Sequence, residues 1–119
     1  MGTILIVDDE ADTRDFLTIM FTRAGYAVIQ AKDGLDGLAK MREHHPDLIL
    51  SDITMPKLDG IEMVRRLRQM PEFSHVPVLV MSAYGMNKLS EATAAGADHT
   101  LLKPVNFASL IETVRNTIG

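Results

Sequence analysis

Two hydrophobic periods alternate along the chain. Thr3 to Val7 is an apolar, β-branched run of strand type. It leads straight into Asp8-Asp9-Glu10. After it Phe16, Leu17, Met20, Phe21 and Ala24 recur at helical spacing, and Gly25 supplies a stop. Tyr26 to Ala31 predicts a second strand. Gly34 to about His44 predicts a helix burying Leu35, Leu38 and Ala39. Gly37 weakens it, at a cost of about 1 kcal/mol relative to alanine. Pro46 forbids further helix, and Leu48-Ile49-Leu50 form a short apolar run without alternation. Such a run marks a strand covered on both faces. It ends abruptly at Asp52, and Met55-Pro56 with Asp59-Gly60 signal a loop. Asp59, with Glu62 three residues on, forms a variant capping box. The helix behind it shows Ile61, Val64 and Leu67 on one face, and Pro71 closes it. Val76 to Ser82 predicts a fourth strand, with Pro77 tolerable near its start. About Asn87 to Ala95 reads as a helix poor in large apolar residues, ended by Gly96. Asp98 to Leu102 is a short fifth strand. Asn106 can cap a last helix with the stripe Phe107, Leu110, Ile111, Val114 and Ile118.

Five strands alternating with five helices predict an α/β fold, a doubly wound parallel sheet with helices on both faces and right-handed crossovers. Periodicity alone leaves the strand order open. In such a sheet every strand delivers its last residues to one edge, where ligands bind. That edge collects Asp8 and Asp9 from strand one, Asp52 from strand three, Ser82 from strand four and Lys103-Pro104 after strand five. Each has an ordinary structural use taken alone. Asp8-Asp9-Glu10 can complement a helix N-terminus, Asp52 can end a strand, Ser82 can sit in a turn, Lys103 can be a solvated charge and Thr54 can fill a loop. Their convergence is another matter. Three carboxylates repel and raise the pKa of at least one of them unless a positive charge intervenes. Magnesium takes a few carboxylate oxygens, keeps several waters and leaves room for a phosphate oxygen. With an amine and a hydroxyl beside it, this is a set of parts for phosphoryl transfer, and a carboxylate can itself be the nucleophile.

Composition narrows the field further. The 119 residues make one domain, 1–119, with 46% hydrophobic and 24% charged residues. The net charge of -4 argues against direct nucleic-acid binding. No cysteine is present, which excludes disulfides, thiolate metal sites and cysteine nucleophiles. No apolar run approaches membrane-spanning length, so no membrane insertion is expected. Met1-Gly2-Thr3-Ile4-Leu5-Ile6 has neither the basic region of a signal peptide nor the hydroxyl residue of a myristoylation site. A cytoplasmic location is the expectation.

On these residues the sequence resembles the receiver domain of two-component response regulators over its whole length. The family pattern is an acidic pair after strand one, then the phosphoacceptor aspartate followed by a hydrophobic residue, a variable residue, Met and Pro. Ser or Thr with Ala follows strand four, and Lys-Pro follows strand five. Here these are Asp8-Asp9, Asp52-Ile53-Thr54-Met55-Pro56, Ser82-Ala83 and Lys103-Pro104; Gly60 and Gly96-Ala97-Asp98 match too. The resemblance implies a flavodoxin-like sheet of order 2-1-3-4-5. It implies that Asp52 accepts a phosphoryl group from a histidine kinase or phosphotransfer protein, and that the switched domain changes its affinity for a downstream effector protein. Asp9, the Asp52 carboxylate and the Thr54 backbone carbonyl would bind Mg2+ directly, with Asp8 acting partly through water. Lys103 would contact the phosphate, across a cis bond to Pro104. Ser82 would swing toward the phosphate and report it. Such a domain catalyses its own phosphorylation and dephosphorylation but turns over no other substrate.

The sequence departs from the family at Thr100, three residues before the lysine, where an aromatic residue usually turns inward on activation. Val105 replaces a frequent phenylalanine. Tyr84 places an aromatic ring two residues past Ser82, where it either carries part of the coupling or gates access. Three rival functions follow. A haloacid-dehalogenase-type phosphatase normally needs a second Asp two residues after its nucleophile, where this chain has Thr54. A dinucleotide-binding domain needs a glycine-rich first turn, where this chain has Asp-Asp-Glu. A receiver-like interaction module regulated without phosphorylation is suggested by Thr100 alone. The kinase, the output partner and the oligomeric state are not written in the sequence.

Overall fold

The computed structural model describes residues 2–83 and 86–119. Five strands, β1 (Thr3–Val7), β2 (Ala27–Ala31), β3 (Leu48–Asp52), β4 (Val78–Ser82) and β5 (His99–Leu102), form one sheet. All pairings are parallel, in the order β2-β1-β3-β4-β5. The helices are α1 (Ala11–Arg23), α2 (Gly34–His44), α3 (Gly60–Arg68), α4 (Met86–Ala95) and α5 (Phe107–Ile118), with a 3-10 turn at Pro71–Phe73. This is the expected flavodoxin-like fold.

The pleat divides the sheet residues between two cores. Leu5, Val7, Ile49, Val78 and Val80 pack with residues of α2, α3 and α4 on one face. Ile4, Ile6, Leu48, Leu50, Leu79 and Met81 pack with α1 and α5 on the other. Every residue of β3 is therefore buried, as its unbroken apolar run requires. Fully burying a side chain of this size stabilises by about 1.5–3 kcal/mol.

Three strands begin one or two residues later than expected. The Tyr26 amide bonds back to the Phe21 carbonyl at 3.0 Å, so it closes α1 instead of opening β2. Asp98 uses its carboxylate to accept the Val78 amide at 2.8 Å, which sets the start of both β4 and β5. The Val76 carbonyl is taken by Arg68 at 2.7 Å. That guanidinium also donates to the carbonyls of Gly96 and Phe73 and to Asp98, tying down the sheet edge away from the acidic residues.

The buried face of α2 differs from the expectation. Leu35 is 47% exposed and Ala39 lies outside, while Gly34, Gly37, Leu38 and Met41 face inward. That is the same period shifted by one residue. Two of its four positions are glycines and carry no apolar side chain to reveal it. They are small for a reason: a Cβ at Gly37 would lie 2.9 Å from the Met63 sulfur and 3.2 Å from Val7. The caps behave as expected. Asp59 accepts the Glu62 amide and Asn106 accepts the Ser109 amide.

Candidate functional site

Register brings the acids together. Val7 pairs with Ser51, so Asp8 stands level with Asp52 on the neighbouring strand. Asp8 leaves β1 with its amide still bonded to the Ala31 carbonyl of β2 at 3.1 Å. Carboxylate oxygens of Asp8, Asp9 and Asp52 all lie within 4.8 Å of one another. β3 ends at Asp52, and the chain returns as α3 immediately behind it. The Gly60 amide donates to the Ile53 carbonyl at 2.8 Å. A Cβ at Gly60 would collide with the Asp52 carbonyl oxygen.

Asp8 is fully buried. Its Oδ1 accepts the Glu10 amide at 2.9 Å, and its Oδ2 has no hydrogen-bond partner among the described residues. Burial pushes its carboxyl up from 3.8 to about 6. The Glu10 amide opposes this, the Asp52 charge adds to it, Lys103 opposes it and Asp9 adds to it. Asp52 is buried as well. Its Oδ1 accepts the Ile53 amide at 2.9 Å and its Oδ2 lies 3.2 Å from Lys103 Nζ. An open cleft of about 300 Å³ gives access, lined by Asp9, Glu10, Asp52, Thr54, Ala83 and Lys103. The donors are all hard oxygens, one of them buried and unpartnered. That set suits a hard divalent cation and offers nothing to a soft metal.

The expected residues fall as follows. Asp8, Asp9, Asp52 and Lys103 meet, and Thr54 lines the cleft. Ser82 ends β4, buried, and its carbonyl accepts the Lys103 amide at 2.9 Å. The Lys103-Pro104 bond is cis. Thr100 sits half-buried in β5, opposite Val80 and outside the cleft lining. Tyr84 lies outside the described residues. Two features carry no sequence signal. The Arg14 guanidinium donates to the Asp8 carbonyl at 2.7 Å. An apolar groove of about 660 Å³, lined in part by Phe16, Leu17, Met81, Val105 and Phe107, adjoins the cleft and shares Glu10, Ala83 and Lys103 with it. Phe16, which the helical stripe would bury, is 45% exposed there and packs edge-on against Phe107.

Comparison with known proteins agrees with this geometry. Residues 4–115 match the family model of the response regulator receiver domain. The polar-differentiation response regulator DivK of Brucella ovis is 32% identical over 118 residues, spanning 98% of this chain and 96% of that protein. Among solved structures, the chemotaxis response regulator CheY4 of Vibrio cholerae superimposes with a TM-score of 0.92 at 33% identity, covering 99% of both chains. The signal receiver domain of a signal transduction histidine kinase from Syntrophus aciditrophicus gives 0.93 at 27% identity, over 99% of this chain and 90% of that one. The described helices include none long and apolar enough to cross a membrane. The chain belongs to the response regulator receiver domain family of two-component signalling.

Proposed function

We propose that the domain is a phosphorylation-driven switch whose acceptor is Asp52. The observation that carries this reading is the 3.2 Å pair between Lys103 Nζ and Asp52 Oδ2, set beside a buried oxygen of Asp8 that has no partner among the described residues. An Asp52 carboxylate oxygen forms the new O–P bond as the P–N bond of a phosphohistidine donor breaks, and the electron pair leaves with the imidazole nitrogen. Asp9, the Asp52 carboxylate and the Thr54 carbonyl would hold Mg2+, with Asp8 acting partly through water. When bound, the cation would neutralise charge on the transferring group. Lys103 exchanges its contact with Asp52 for one with the phosphoryl oxygens. Ser82, already joined to Lys103 through the main chain, donates its hydroxyl to the same group. No other substrate is turned over.

The donor is a histidine kinase or phosphotransfer protein in the cytoplasm. Its histidine must reach Asp52, so its surface covers Glu10, Ala83 and Lys103 and the apolar groove that shares them. Phosphorylation changes affinity for a downstream effector by a coupling of about 1–3 kcal/mol. Thr100 favours a second reading, an interaction module regulated without phosphate, because no aromatic side chain stands there to turn inward.

Intact mass after incubation with acetyl phosphate and magnesium separates the two. A gain of one phosphoryl group in the wild type and none in Asp52→Asn supports the switch. No gain in a folded, magnesium-binding wild type favours the second reading.

A further inference from the structure

We propose that Arg14 is a positioning residue for the acidic pair: its guanidinium, anchored by Gln30 of β2, grips the Asp8 main-chain carbonyl and so fixes where the Asp9 carboxylate points. This rests on the reading of Asp8, Asp9 and Asp52 as a magnesium site.

The β1 ladder has run out at Val7, and the Asp8 amide makes its last bond, to Ala31. The next peptide unit joins the Asp8 carbonyl to the Asp9 amide in one plane. Holding that carbonyl orients the whole unit and the exposed side chain that follows it. Arg14 Nη1 holds it at 2.7 Å. The same guanidinium donates through Nε to Gln30 Oε1 at 3.1 Å. Gln30 is fixed in turn, its amide nitrogen 2.8 Å from Thr18 Oγ1 and 3.3 Å from Asp15 Oδ1. Thr18 Oγ1 closes the circuit by donating to the Arg14 carbonyl at 2.7 Å. Only a planar fork reaches both acceptors at once; a lysine at this position keeps the charge and loses one of the two bonds.

A role through charge alone predicts the opposite sign. A guanidinium beside a cation site repels the cation, so removing it would tighten magnesium binding. Positioning predicts weaker binding, since outer partners of metal ligands are worth about tenfold or more in affinity.

The test is magnesium titration calorimetry on the wild type, Arg14→Gln, Arg14→Lys and Gln30→Leu, with amide hydrogen exchange on the metal-free proteins. The expected result is about tenfold weaker binding in Arg14→Gln and a loss of the same sign in Arg14→Lys and Gln30→Leu, where the charge remains. The Glu10 amide, which is bonded to Asp8, exchanges faster in these variants while the amides of β3 keep wild-type protection. Unchanged or tighter binding in Arg14→Gln, or wild-type affinity in both charge-preserving variants, overturns the proposal. A wild type that takes up no magnesium overturns the site reading instead, and Glu10 exchange still decides whether Arg14 positions the pair.

Discussion

Asp8 puts a carboxylate in a fully buried position. The folded protein holds that proton to about pH 6, the unfolded chain to 3.8. Folding is therefore favoured by protonation: the stabilisation is fully present below about pH 3.8 and is lost as pH rises through about 6. The gap corresponds to roughly 3 kcal/mol. Asp8→Asn removes it. We expect that variant to exceed the wild type by about 2–3 kcal/mol at pH 8 in chelator, the difference shrinking toward pH 4, as measured by urea unfolding. A pH-independent difference contradicts the account. Lys103 acts in the other direction, as a cation competing for Asp52. Lys103→Met should tighten magnesium binding several-fold, and unchanged affinity in a calorimetric titration would argue that the 3.2 Å pair has no bearing on the metal. The identities of these residues were legible in the sequence because the pieces sit at strand ends. Arg14 was not: it acts on a backbone carbonyl, and a carbonyl leaves no mark on the sequence. Phe16 misled for a related reason, since a helical stripe tells which residues are apolar and not which of them a neighbouring loop leaves uncovered.

Among the elements, the β3–α3 junction is tightly constrained. Ile53, Met55 and Leu58 are buried and pin the connecting loop to the core. Asp33 at the start of α2 lies 3.8 Å from Lys57 within that loop. Gly60 then lets α3 begin directly against the Asp52 carbonyl. Gly60→Ala should cost about 1–3 kcal/mol through forced backbone shifts. Because the displaced atom belongs to Asp52, it should also slow phosphoryl uptake from acetyl phosphate. Wild-type stability and rate together would show that the junction yields freely. The sequence marked Gly60 as part of a loop signal but gave no hint of the close approach. In α2 the same missing signal put Leu35 and Ala39 on the buried face, where only Leu38 of the expected three lies. Gly37 reads as a weakness by helix propensity, yet its missing side chain is what admits Met63 and Val7.

At the scale of the molecule, the order β2-β1-β3-β4-β5 explains why groups far apart in the chain can meet, with Asp8 after the first strand near Lys103 after the last. β1 and β3 are neighbours at the centre, so their carboxylates share one small volume at the carboxyl edge. The parallel sheet and its two-sided core followed from the unbroken apolar runs. Strand order did not, because pairing depends on how the crossovers wind, and it came from the family resemblance. The same arrangement makes the central claim testable at a single atom. After incubation with acetyl phosphate and magnesium, borohydride reduction converts an aspartyl phosphate to homoserine, which peptide mass mapping locates. The account predicts homoserine at position 52 in the magnesium sample and aspartate there in the chelator sample. Aspartate at position 52 in both, or homoserine at position 8 or 9 instead, would contradict it.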